Sequence, residues 1–451
     1  MKPETRNSKP SVSPARSAAF DILLRVEQQG AYASELLHSS QFAQLSPADH
    51  GLATELVMGV LRWRSTLDRV IAAASSQALE RLDLEVLTAL RLGVYQLRFL
   101  ERVPARAAVY ESVDLVKRAR KRSAAPFANA VLRKLSTLPV ESRELTTVKG
   151  SRELAERYAH PQWLVERWVK AFGMEAARHI CAYGQQVPRV AIRLDTPQTE
   201  VELARQGIHL TAGSLLASAR LVTSGDVTAT PEFRKGRVAV QDEASQLVAV
   251  LVGRGSRILD CCAAPGSKTA ILANRNPDSE IVAVDLHPHR ARLLSQRVQA
   301  NNVRVIAADA CSLPLSGQFN RVLVDVPCSG SGTLARNPEI KWRLKTEDLA
   351  DLHSRQVAIL KSAMQRVAPN GKLIYSTCSL EPEESSEVID HVLAGDKSFR
   401  LIDCRQELDR LQREGELVWS DLGSLTHGLY LRTLPGVHPC DGFFAVVLER
   451  T

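Results

Sequence analysis

Apolar positions in the first third of the chain recur every three to four residues, the spacing of helices with one buried face. Phe20, Leu23, Leu24 and Val26 begin one stripe, and Leu52, Leu56, Val60 and Leu61 form another. Leu87, Leu90, Val94 and Leu97 make a third; Val109, Val113 and Val116, then Phe127, Val131 and Leu135, carry the pattern on. Pro47, Pro104 and Pro126 stand where helices start or break. The pattern predicts an all-α domain over 15–145, after a disordered tail over 1–14. Residues 146–236 read as a polar linker, from Thr146 to Glu153, followed by a small α+β subdomain. The subdomain has a helix from Tyr158 to Phe172 and a strand at Val190–Leu194. Trp163 and Trp168 are expected in the core rather than as stacking platforms.

From residue 237 to 451 the period switches to strand–helix alternation. Predicted strands are Arg257–Cys261, Glu280–Asp285, Arg304–Asp309, Arg321–Val324 and Lys372–Tyr375. Helices are predicted at His289–Ala300 and Asp348–Val367, and one opens at Gly266. Repeated strand–helix units with short apolar strands imply a Rossmann-like, doubly wound parallel sheet. The expected class is therefore multidomain: an all-α front domain, a small α+β subdomain and an α/β domain.

Composition narrows the partners. The 451 residues carry a formal charge of +8, which favours a polyanion, although a mildly basic enzyme without such a partner has the same balance. The basic residues bunch at Lys117, Arg118, Arg120, Lys121 and Arg122, so the front domain is the expected RNA contact over a merely solvated face, and it and the small α+β subdomain are expected to grip RNA phosphates. Eight cysteines, none in paired C-x-x-C units, suggest free thiols in a reducing compartment and no structural zinc. No signal peptide or membrane-spanning run is read, so a cytoplasmic, monomeric chain is expected.

The chemistry concentrates at strand ends, where open parallel sheets bind ligands. Asp325-Val326-Pro327-Cys328-Ser329-Gly330 follows one apolar run and Ser376-Thr377-Cys378-Ser379 another. Two thiols at two such ends suggest thiol chemistry on a bound substrate. The first turn, Asp260 to Thr269, is neither a dinucleotide fingerprint nor a P-loop. Its small residues let backbone approach a ligand. Asp285, Asp309 and Asp325 end successive strands; alone each reads as a cap or turn residue, together as a cation-friendly rim. S-adenosyl-L-methionine, with a sulfonium and an ammonium, suits that rim better than a dinucleotide. The cofactor set read here is Cys262, Ala263, Ala264, Pro265, Gly266, Ser267, Lys268, Asp285, Asp309 and Asp325.

These motifs carry a resemblance. The stretch from Val103-Pro104 through Glu111-Ser112-Val113 to Phe127–Arg133 resembles the NusB fold, a helical RNA-binding module. Cys262–Gly266, Asp325–Gly330, Thr377-Cys378-Ser379, Asn337–Trp342 and Gln241–Ser245 resemble RNA cytosine-carbon-5 methyltransferases of the Sun/Fmu type. With the NusB-like front, the likeness is to the bacterial branch acting on 16S ribosomal RNA. Ser267 departs from the pattern, which has a second Gly there. The resemblance implies Cys378 as the nucleophile on carbon 6 of cytosine and Cys328 as the group assisting release. It also implies that Asp325 holds the base near nitrogen 3. Lys268 is the candidate cation for activating the thiol. Cys181, Cys261, Cys311, Cys404 and Cys440 are expected as structural thiols, and Asn337, Lys341 and Arg343 as RNA contacts or an ordinary loop. A transfer RNA methyltransferase and a non-catalytic RNA-binding or antitermination factor are the competing readings. No metal site is expected.

Overall fold

In a computed structural model, residues 12–42, 44–139 and 148–451 are described. The expected tail over 1–14 lies mostly outside these residues, as do Thr146 and Thr147 of the expected linker. The helical pattern becomes helices Pro14–Gln29, Ala33–Leu37, Pro47–Ala74, Leu84–Phe99, Ala105–Arg118 and Ala125–Thr137. Local signals set their ends. Pro14 and Pro47 each open a helix, where the missing N–H costs nothing, and the Ser46 hydroxyl accepts from Asp49 N at 3.2 Å. Gly30, with φ 64°, closes the first helix in the left-handed region. Their apolar stripes meet in one core that includes Phe20, Leu23, Leu56, Val60, Leu90 and Val131.

The chain from Ser151 to Arg157 is helical, not linker. A longer helix follows, Gln162–Tyr183, broken at Gly173, where φ is 83°. It buries Trp168 and leaves Trp163 half-buried. By their packing the residues form two units. One takes in the chain up to Gln186 together with Leu334–Arg343; the other takes in Val187–Thr333 and Leu344–Thr451.

The second unit starts with four antiparallel strands, β1 (Val190–Leu194), β2 (His209–Ala212), β3 (Ala219–Ser224) and β4 (Val238–Val240), in the order β2-β3-β1-β4. Ile192, Leu203, Ile208, Val227 and Val238 form its core. The larger sheet contains β5 (Arg257–Cys261), β6 (Glu280–Asp285), β7 (Val303–Ala307), β8 (Phe319–Asp325) and β9 (Val367–Thr377). These run parallel in the order β9-β8-β5-β6-β7. Buried Ile258, Leu259, Val322, Leu323, Leu373 and Ile374 explain their continuous apolar runs.

The sheet is mixed, however, rather than wholly parallel. β10 (Phe399–Ile402), β11 (Thr426–His427), β12 (Tyr430–Thr433) and β13 (Phe443–Arg450) join it antiparallel, with β13 paired to β9. β5 and β8 flank the point where strand order reverses, which opens a crevice at their carboxyl ends.

Candidate active site

Cys328 lies three residues beyond β8 and Cys378 immediately beyond β9. Because β8 and β9 are paired in register, Asp325 opposite Ser376, both thiols arrive at one end of the sheet. Their sulfurs are 3.2 Å apart. Both side chains are half-buried and neither forms a disulfide. Asp325 stands beside them: Oδ2 accepts from Lys268 Nζ at 2.7 Å and Oδ1 from the Ser376 hydroxyl at 2.7 Å.

The two cysteine loops are held together by backbone and by one buried carboxylate. Gly332 N donates to Cys378 O at 2.9 Å, and Gly442 N to Gly332 O at 2.8 Å. A Cβ on Gly332 would lie 2.3 Å from Gly442 O and 2.7 Å from Cys378 O, so only glycine permits this crossing. Glu384, fully buried, then ties the residue after each cysteine. It accepts from Ser329 N at 2.8 Å, from the Ser329 hydroxyl at 2.5 Å and from the Ser379 hydroxyl at 2.5 Å. Gln356 Nε2 adds a donor at 3.0 Å. Arg432, also buried, donates to Ser379 O at 2.9 Å, and its pKa is pulled down to about 10 by burial. Sequence reasoning missed Glu384, Gln356, Ser376 and Arg432. Only Ser376 and Glu384, next to the second motif, carried a signal that could have found them.

The electrostatics favour a protonated Cys378 thiol. The Cys378 thiol is pushed well above its usual pKa, first by its hydrogen bond with Cys328 and then by burial and Asp325; Lys268 acts in the opposite direction. Burial pulls Lys268 down, yet its pairing with Asp325 outweighs this and leaves it raised. Its ammonium is committed to Asp325 and stands over the Phe443 ring at 5.4 Å. Asp260, at the end of β5, was not read as a site residue. Burial raises its pKa to about 7, partly offset by the Thr269 hydroxyl at 2.6 Å.

The Cys262–Lys268 turn shapes the adjoining end of the crevice. Cys262 has φ 57°, the Ala264–Pro265 bond is cis, and Gly266 has φ 103°. Burial raises the Cys262 thiol pKa. Ser267 opens the helix Ser267–Arg275 and is not among the residues with positive φ, so a side chain is tolerated where the family pattern has glycine. Asp285 is buried; its oxygens accept from Ala264 N at 3.2 Å and His287 N at 3.1 Å. Asp309 is exposed and caps the turn at Cys311 N, 2.8 Å away.

Two expectations change. Lys341 is 1% exposed and donates to Arg62 O at 2.9 Å, and Arg343 lies over the Tyr32 ring at 4.7 Å. Lys341 is thus core, and Arg343 packs within the helical unit. Of the cysteines expected to be structural, Cys181, Cys261, Cys404 and Cys440 are buried and Cys311 is half-buried. Among the described residues no group of His, Cys, Asp and Glu has metal-binding geometry, and no helix is long and apolar enough to cross a membrane.

This strand order, with acids at the ends of β6 and β8 and a small-residue turn after β5, defines the Rossmann-like methyltransferase class. Comparison with known proteins narrows it. Residues 249–449 match the family described as 16S rRNA methyltransferase RsmB/F, 13–137 the NusB family, and 160–227 the ferredoxin-like domain of RsmF/B-like methyltransferases. The chain is 35% identical to the probable ribosomal RNA small subunit methyltransferase B of Bacillus subtilis, over 96% of this chain and 98% of that one. It is 32% identical to the ribosomal RNA small subunit methyltransferase B of Vibrio cholerae, over 96% and 97%. The crystal structure of PH0851 superposes with a TM-score of 0.78 at 22% identity, covering 98% of this chain and all of that one, and shows the shared fold. The chain belongs to the RsmB/F family of RNA methyltransferases.

Proposed function

We propose that the protein methylates carbon 5 of a cytosine in 16S ribosomal RNA, using S-adenosyl-L-methionine and a covalent bond between Cys378 and the base. The 3.2 Å approach of the Cys328 and Cys378 sulfurs, beside Asp325 and Lys268, carries this reading. Two free thiols in contact at the carboxyl ends of the paired strands β8 and β9 support chemistry on one shared substrate. The relatives named for small-subunit ribosomal RNA supply the substrate class.

The residues present fit the cofactor. Asp285 keeps lone pairs for ribose hydroxyls beyond its two backbone bonds, and the Ala263–Ser267 backbone can lie close to a ligand. Exposed Asp309 adds negative charge to the rim, where the Asp325 carboxylate is paired with Lys268. When bound, S-adenosyl-L-methionine supplies an electrophilic methyl group. Carbon 5 of cytosine is a poor nucleophile until Cys378 Sγ, its proton passing to the Asp325 carboxylate, bonds to carbon 6 and the π pair becomes available at carbon 5. Asp325 holds the base near nitrogen 3 and hands that proton on as negative charge builds there. After methylation Cys328 assists loss of the carbon 5 proton. The electrons of that C–H bond restore the carbon 5–carbon 6 double bond as the Cys378–carbon 6 bond breaks, with its pair returning to sulfur. Lys268 opposes the burial of the thiolate during this cycle.

Denaturing gels test the division of labour. Cys328→Ala accumulates an RNA adduct, whereas Cys378→Ala forms none and loses methyl transfer. Normal methylation by both variants would overturn the assignment. Bisulfite sequencing of total RNA from deletion cells reads the substrate, and a mark lost from transfer RNA instead would shift the reading to that class.

A further inference from the structure

A cavity of about 440 Å³ lies among β4, the end of the short helix Pro231–Arg234 with Lys235 and Gly236, the start of helix Ser267–Arg275 and the chain Gln296–Gln299. It shares Pro265, Gly266 and Ser267 with the turn after β5 but is not lined by Asp285, Asp309, Asp325, Cys328 or Cys378. It therefore adjoins the cofactor turn but is distinct from the end of the crevice that carries the carboxylates and thiols. Its volume is in the range of small-molecule sites.

Its charge is one-sided. Arg193, Arg234, Lys235 and Arg297 line it, with no Asp or Glu among the lining residues. The whole chain has 58 basic and 50 acidic residues, so a wall of one sign is not what its composition alone would give. Two acids act on the wall from outside the lining, and both are also engaged elsewhere. Asp195 acts on Arg193 but accepts from Arg237 at 3.2 Å and from the Thr199 hydroxyl at 2.5 Å, and Glu232 acts on Lys235 but accepts from Gln206 Nε2 at 2.7 Å. Arg193 Nε is buried without a hydrogen-bond partner. A buried guanidinium N–H left unpaired is costly and is relieved by an anionic acceptor. The rest of the lining suits a base as well as a phosphate. Phe233 offers a ring for stacking, and Gln296 and Gln299 offer amide donors and acceptors.

We propose that this cavity is a second RNA subsite, which holds one phosphodiester-linked nucleotide of the substrate outside the catalytic crevice. The phosphate meets Arg193 with Lys235 and Arg297, and the base lies against Phe233. The inference rests on the RNA substrate proposed above. It assigns the small antiparallel subdomain a defined contact, since Arg193 is on β1 and Phe233 lies just before β4.

Filter binding of in vitro transcribed 16S ribosomal RNA to the full chain tests it across a salt series. Lys235→Glu with Arg297→Glu weakens binding about tenfold or more, and flattens the slope of log affinity against log salt by about 1 to 2. The same reversal at Arg405 and Arg413, on a helix outside the cavity, changes neither to that extent. Phe233→Ala weakens binding without changing the slope, because stacking releases no counterions. Calorimetric affinity for S-adenosyl-L-methionine stays the same in all three, which confirms folding. Equal effects of the two charge reversals, or no effect of the first, would overturn the subsite. Loss of methyl transfer by the wild type, with these binding differences intact, would count against the proposed reaction and not against the subsite.

Discussion

Glu384 shows how a single residue sets the register of two loops. Its carboxylate accepts from Ser329 and Ser379, the neighbours of Cys328 and Cys378, so each thiol's place depends on the other's loop. Glu384→Gln keeps the shape but turns one acceptor into a donor facing donors. Sub-ångström misplacement of reacting groups is expensive, so kcat should fall by about a hundredfold with little change in KM for S-adenosyl-L-methionine. Methyl incorporation into RNA measures it, and an unchanged kcat would mean that the loops hold without the carboxylate. Asp260 makes a pH prediction. Its folded pKa, raised to about 7 by burial, lies above the unfolded value, so the native state binds the extra proton. Stability from this group is present at low pH and is lost as pH rises from about 4 through about 7. Asp260→Asn removes the dependence. The melting temperature of the variant relative to wild type should rise between about pH 5 and pH 8, and a flat difference would refute the shift.

At the scale of elements, the site depends on where chain segments cross. Paired β8 and β9 deliver the cysteines, and Gly332 lets the first loop pass between Cys378 O and Gly442 O. A methyl group there meets backbone on both sides, which cannot rotate away. Gly332→Ala should cost about 1–3 kcal/mol in denaturant unfolding and lower activity more than the loss of stability alone explains. Wild-type stability and turnover would show that the loops can separate at no cost. The five parallel strands were legible because buried strands leave continuous apolar runs between turn residues. β13 was equally apolar, at Phe443–Leu448, but lacked a strand–helix rhythm to place it. Pairing with β9 makes it part of the floor under the cysteines.

In the whole molecule, Leu334–Arg343 leaves the catalytic sequence and packs in the helical unit. Trp342 Nε1 donates to Leu61 O at 2.6 Å, and Glu339 accepts from Ala33 N at 2.9 Å. Burial holds the Lys341 pKa well below its usual value, with Cys181 opposing, so the unfolded chain binds the extra proton. Stability from this group therefore rises with pH up to the ordinary lysine range. Arg62 O keeps a second donor, Gln185 Nε2 at 3.0 Å, if Lys341 is removed. Lys341→Met should raise the melting temperature at pH 7, by less as pH approaches about 10, while Lys341→Glu should destabilise the fold. A large loss of stability in the methionine variant would assign the amine a necessary bond.

The sequence alone determined the helical front, the strand ends and the two thiols, because periodicity and turn residues are local and survive without coordinates. It left Lys341 as an RNA contact or an ordinary loop residue, whereas the fold buries it, since a basic residue is coded the same way whether solvated or buried. Tertiary structure decided the 3.2 Å meeting of the sulfurs, the commitment of Lys268 to Asp325 and the bridging by Glu384. Those depend on long-range register and burial, which set distances and pKa values and are not written in any short stretch of chain.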